Sequence, residues 1–206
     1  MRIKKAIAGF TAAAAALAGG VALAAPAQAK SNSSEAPSVY DIARDASKGK
    51  WAFDRNGDDF DILLAAVRVT GLKGALDNPK ADLTVFAPTD AVFKQTFGGR
   101  SEVGTLIRAL KAVNYDLNTL RTVLLYHVTG LNTDGEKGLS FAEVAAALEG
   151  GDVTVPMLAG GNTIVKGDLT INGTSSGPSG IVATDIGLGE ASNGVIHVIG
   201  DSVLLP

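Results

Sequence analysis

Cysteine is absent from this chain of 206 residues, and that absence removes several chemistries together. No disulfide can staple the fold, no thiolate can hold a metal, and neither a cysteine nucleophile nor a lipid-modified cysteine is available. A hydrophobic core alone must hold the structure. Histidine is nearly absent as well, His127 and His197 being the only two. Aromatic residues make up 5% of the chain, too few for the ring-lined platforms that bind sugars. Lysine and arginine number 18 against 21 acidic residues and form no extended run. That balance argues against nucleic acid and against anionic membrane surfaces as partners. No G-x-S-x-G elbow sets up a serine nucleophile, and no Arg-Gly-Asp occurs.

What is present begins with Arg2, Lys4 and Lys5 ahead of an Ala-rich apolar stretch over residues 6–25. Ala27-Gln28-Ala29 follows in small-x-small spacing, which predicts a signal peptide over 1–29, cleaved after about Ala29. Gly19, Gly20 and Pro26 interrupt the run and argue against a membrane anchor. Without Arg2, Lys4 and Lys5, 15 basic residues remain against the 21 acidic ones, a formal charge near −6. Residues 30–38 read as a flexible polar leader, rich in serine. Residues 39–206 read as one domain, with no second linker. The chain stops at "DSVLLP" without an apolar tail, so the expected product is secreted or held in the periplasm or cell envelope, with no membrane insertion after signal cleavage.

The first half of the domain has helical periodicity. Ile62, Leu63, Ala66, Val67 and Val69 form one stripe, which Gly71 is placed to stop. Val103, Leu106, Ile107, Leu110 and Val113 form a second, and Leu117, Leu120 and Leu124 a third. Ser140 and Glu143 make a capping-box pair for a fourth helix that Gly150-Gly151 ends. The second half predicts short strands in "DVTVPML", "NTIVKG", "DLTING", "GIVATDI" and "GVIHVIGDSVLLP". One early strand, "LTVFAP", ends at Pro88, and Thr89 or Asp90 is placed to cap a short helix. Val85 and Ala87 fall on one face of this strand, Thr84 and Phe86 on the other. In "GVIHVIG", Val195, His197 and Ile199 share one face and Ile196 and Val198 the other, so both faces are apolar and the strand reads as central. Helices first and strands later give an α+β domain.

Three segments now stand in a telling order. "TVFAPTDAVF" (84–93) resembles the first signature of fasciclin-like domains, "LLYHVTG" (124–130) their central Tyr-His segment, and "NGVIHVIGDSVLLP" (193–206) their closing signature. "FDILLAAVRVTGL" (60–72) is similar to their opening helix. Gly200 stands where members commonly have an acidic residue. The resemblance implies a β-sandwich wedge with a flanking helical layer. It makes Thr84, Phe86, Pro88, Asp90, Phe93, Asn193, Gly194 and His197 markers of the fold. It also implies a non-catalytic module without a cofactor, used for adhesion to a cell-surface or matrix protein or glycan, often as a single secreted domain in bacteria. In animal relatives the Tyr-His segment and an Asp-Ile pair are proposed adhesive elements. Tyr126, His127, Asp185 and Ile186 match them here, with Tyr126 expected at the surface and His127 inside. Their residue types alone leave core and contact roles open.

Other chemistry reads weakly. Two histidines so far apart in sequence could converge with Asp90 or Asp185, but zinc sites usually include a close ligand pair. A neutral core histidine bonded to backbone is the simpler reading. "DRNGDDFD" (54–61) has Asp54, Asn56 and Asp58 at calcium-loop positions one, three and five. Asp59 stands where glycine is required and Ala65 where a bidentate glutamate is required. A turn at Asn56-Gly57 with Asp58 or Asp59 capping a helix accounts for the stretch, leaving at most a weak surface calcium site. The alternative class is an envelope small-ligand carrier or a hydrolase using His127 or His197 with a carboxylate.

Overall fold

The computed structural model describes residues 36–47, 53–130, 152–173 and 175–206. The expected signal peptide, most of the leader and the helix expected from Ser140 lie outside them.

Serine at position 38 starts the described chain as a helix. Its side chain accepts the amide of Asp41 at 3.1 Å while the Asp41 carboxylate reaches back to the Ser38 amide at 3.4 Å. This reciprocal cap opens α1, Val39–Ala46, an element the apolar periodicity does not announce. The Ser38 hydroxyl also donates to Asp77 at 2.6 Å, tying α1 to the end of α3, Lys73–Leu76. Ser38→Ala is expected to cost about 1 kcal/mol, read as a shift in urea midpoint. A neutral result would place the start of α1 under tertiary control alone.

Between these lies α2, Asp61–Val69. After α3 come β1, Leu83–Pro88, then α4, Asp90–Phe97, α5, Glu102–Ala112, and α6, Leu117–Leu125. The strands β2, Val128–Thr129, β3, Val153–Pro156, β4, Asn162–Val165, β5, Thr170–Asn172, β6, Pro178–Ile186, and β7, Gly194–Ile199, complete the chain. The seven described strands form one mixed sheet in the order β2-β1-β7-β6-β5-β4-β3. β7 is central: it runs parallel to β1, pairing Phe86 with His197 and Val85 with Ile196, and antiparallel to β6.

The sheet has a core on each face. Val85, Ala87, Ile196 and Val198 join the helices' Ile62, Leu63, Val67, Val92, Phe93 and Leu124 in the larger one. Phe86, Ile199 and Leu204 meet Val155, Val165 and Ile171 of β3, β4 and β5 in the second. Strands from the two ends of the sheet share that second core, so the sheet folds back over itself. The Leu158 amide closes it by donating to the Val128 carbonyl at 2.8 Å. This is an α+β wedge: a folded sheet with helices packed over one face. The face assignments made for β1 and β7 hold.

Several side chains differ from expectation. Val69 is 47% exposed and Ile107 50%, and Val103 and Leu117 are also exposed. On α5 the fully buried residues are Glu102, Thr105 and Ala109, the small side chains at 105 and 109 facing α2 and α4. Of the apolar stripe, Leu106, Leu110 and Val113 pack half-buried against the larger core, while Val103 and Ile107 face outward. Neither Asp58 nor Asp59 caps α2, whose cap residue, Phe60, offers no side-chain bond. Asp90 does so from α4, accepting the Ile62 amide at 2.9 Å. Thr89 is the cap residue of α4 but makes no side-chain bond there.

Candidate functional site

The Tyr-His segment sits where α6 ends and β2 begins. The ring of His127 is enclosed between both cores, with Nδ1–H donating to the Val123 carbonyl at 2.8 Å and Nε2 accepting the Leu204 amide at 2.9 Å. Both nitrogens are thereby committed to backbone, and the tautomer is fixed. Burial, only partly offset by the Val123 bond, pushes its pKa down to about 4, so the ring is neutral at physiological pH. Tyr126 does not reach the surface: it is 1% exposed, its ring belongs to the second core, and its hydroxyl donates to the Asn162 carbonyl at 2.7 Å. A tyrosine can be buried fully once its hydroxyl finds a partner.

Asp185 and Ile186 lie elsewhere, at the end of β6 and separated from β2 by β1 and β7. The β6–β7 register shifts twice here, and Asp185 adopts φ +58°, a conformation Asp tolerates better than most residues. The bulge directs the Asp185 amide to Nδ1 of His197 at 3.3 Å, while the His197 ring stacks at a tilt on Phe86, centroids 5.7 Å apart. Ile186 is half-buried against the larger core. Earlier on β6 Val182 is 64% exposed, and just past the strand Leu188 is 42% exposed. The four matched residues therefore divide into an interior pair and a partly exposed pair.

Thr84, Phe86, Pro88, Asp90, Phe93, Asn193, Gly194 and His197 are all buried. Asn193 shows why: its side-chain oxygen accepts the Val39 amide at 2.8 Å, and its side-chain nitrogen donates to the carbonyls of Leu76 at 2.8 Å and Asn78 at 3.0 Å. One side chain thus joins α1, α3 and β7.

Sequence reasoning missed a cluster of acids at three converging helix starts. Asp61, Asp90 and Glu102 are the first residues of α2, α4 and α5. All three are buried, and each offers a ligand oxygen within 4.8 Å of the others. Asp54 and buried Asp59 form an adjoining group that shares Asp61. Burial, reinforced by neighbouring carboxylates, raises Asp61 to about 6 and, against the pull of the Ile62 amide, Asp90 to about 7; Asp59 is raised for the same leading reason. Each acid reads in sequence as an ordinary first-turn residue, and only tertiary packing brings them together. Among the described residues the groups spaced for metal ligation are these carboxylates, and neither contains a histidine.

A cavity of about 60 Å³ adjoins His127, lined by Leu63, Val67, Leu72, Leu124 and Leu158 among others. It is far smaller than the roughly 300 Å³ at which ligand sites begin. Among the described residues no helix is long and apolar enough to cross a membrane.

The family model for the Fasciclin domain matches residues 58–206. A solved structure of a FAS1 domain pair from the insect cell adhesion molecule Fasciclin I is similar, with a TM-score of 0.52 and 16% identity over 75% of this chain and 49% of that one. The chain thus spans about half the length of that domain pair. A comparison with curated proteins finds no match.

Proposed function

Because the chain belongs to the fasciclin domain family, we propose that it is an exported, non-catalytic adhesion module for a protein or glycan of a cell surface or matrix. Domains of this family are generally adhesion modules, and the family match over 58–206 is the observation that carries the reading. The charged start and Ala-rich stretch of residues 1–29 support export. The backbone bonds to both nitrogens of His127 and the small cavity beside it weigh against hydrolysis and against a small-ligand carrier.

The contact surface is the bulged end of β6, where Val182, Asp185, Ile186 and Leu188 combine an acid with exposed apolar area. Tyr126 and His127 are buried away from this surface and do not touch the partner. The test is a solid-phase binding screen against matrix proteins, glycans and cells, followed by the double variant Asp185→Ala, Leu188→Ala. Binding is expected to fall about tenfold, a loss of roughly 1.4 kcal/mol, with the melting temperature nearly unchanged. Full binding by the double variant would move the contact surface elsewhere. Failure of the intact protein to bind anything in the screen would count against adhesion itself.

A further inference from the structure

We infer that Asp61, Asp90 and Glu102, with Asp59 beside them, form a buried site for one calcium ion that ties α2, α4 and α5 together. Geometry is the first ground. Two oxygens on one calcium at about 2.4 Å each lie at most about 4.8 Å apart, and the three carboxylates meet that limit.

Unsatisfied oxygens are the second ground. Asp90 gives one oxygen to the Ile62 amide, Glu102 one to the Lys94 ammonium at 2.9 Å, and Asp59 one to the Asn56 side chain at 3.0 Å. The other oxygen of each, Oδ2 of Asp90, Oε2 of Glu102 and Oδ1 of Asp59, is buried without a protein donor. Asp90 and Glu102 are almost fully enclosed. Buried carboxylate oxygens left unpaired are costly, and native proteins rarely keep three of them in one place.

Charge is the third. Four carboxylates face one ammonium, that of Lys94. Three helix N-termini add at most roughly half a positive charge each, which leaves the cluster still negative. A divalent ion reverses that excess. An all-carboxylate donor set selects a hard cation, and donors brought together from three separate helix starts suit calcium's adaptable shell better than that of magnesium, which demands a near-octahedral one. Asp61 also lines a cleft with Phe53 and Leu64, which gives an ion a route inward. The site shares Asp59 and Asp61 with the calcium-loop pattern at 54–65 but does not use its first ligand positions, Asp54, Asn56 and Asp58, which lie on the turn before α2.

The test treats the protein with EDTA, removes the chelator, and titrates calcium chloride by calorimetry with a parallel melting curve. One equivalent of calcium is expected to bind, and saturating calcium raises Tm by about 5 °C. Asp61→Asn, at the rim of the cluster, weakens binding at least tenfold, whereas Asp58→Asn on the exposed turn leaves it unchanged. No heat and no Tm shift at millimolar calcium would overturn the site and leave the cluster holding shared protons instead. Binding lost in Asp58→Asn and kept in Asp61→Asn would also overturn it, in favour of the surface turn. The wild-type titration decides even where Asp61→Asn folds poorly.

Discussion

Gly194→Ala is expected to lower stability by at least about 4 kcal/mol, enough to leave much of the protein unfolded under ordinary conditions. Gly194 opens β7 with φ +149°, a backbone conformation that side-chain-bearing residues avoid. A Cβ there would overlap the carbonyl oxygen of Leu83 and sit 2.8 Å from its carbonyl carbon. The obstacle is rigid backbone, so no rotamer change relieves it. Relief requires β1 and β7 to move apart, and their pairing from Leu83–Gly194 to Pro88–Ile199 lies at the centre of the sheet between both cores. The neighbouring Asn193 would move with it and loosen its bonds to Val39, Leu76 and Asn78. Gly189→Ala is the control. That glycine also has positive φ, at +73°, but a Cβ there meets nothing within 4 Å. It should cost only the conformational penalty of roughly 1–2 kcal/mol. Urea midpoints by circular dichroism compare the two. Equal costs would show that close approach of the strands is not what requires glycine at 194.

The same contrast explains what the sequence discloses and what it hides. Strands such as "TVFAP" and "GVIHVIG" are apolar on both sides, which marks them as central, and successive side chains point to opposite faces, so the membership of the two cores follows from a period of two. Helix faces are less legible when small residues do the packing. On α5 the stripe of Val103, Leu106, Ile107, Leu110 and Val113 is only half right: Leu106, Leu110 and Val113 pack against the core, but Val103 and Ile107 are exposed and Thr105 and Ala109 are the ones fully buried. The start of α1 rests on a four-residue polar cap, which hydrophobic periodicity cannot register. The acid cluster is hidden for a different reason. Asp61, Asp90 and Glu102 are each unremarkable at a helix start, and their significance arises only from convergence of three helices. Asp90 illustrates the difficulty: sequence proximity assigns it to its own helix, whereas its carboxylate accepts the Ile62 amide on α2. Sequence distance conceals the partner of His127 in the same way, because Leu204 joins it from near the end of the chain.

His127→Ala is expected to cost about 4 kcal/mol, and the cost should appear in stability before it appears in binding. The change strands the Leu204 amide, worth roughly 1–3 kcal/mol when buried and unpaired, leaves the Val123 carbonyl only its 3.2 Å bond from the Tyr126 amide, and opens a cavity beside Leu124 and Phe86. Leu204 is fully buried in the second core and its neighbour Val203 in the first, so the ring pins a segment that spans both. The pH dependence separates this role from simple filling of space. The native ring has a pKa of about 4 against 6.5 for an unperturbed histidine. Above pH 6.5 both states hold it neutral and its contribution is complete. Between pH 6.5 and 4 the unfolded chain takes up a proton that the native state refuses, so stability falls as pH falls. The loss approaches about 3 kcal/mol below pH 4. His127→Gln keeps a neutral polar group that cannot titrate, and this component of the slope should vanish in it. Asp59, Asp61 and Asp90, with raised pKa values, act in the opposite direction, so the quantity to measure is the difference between the wild type and His127→Gln across pH 4–7. A difference that stays flat over that range would show that the buried ring titrates as it does in the unfolded chain. His127→Ala retaining its melting temperature while losing adhesion would instead make the ring a contact residue, contrary to its enclosure between the two cores.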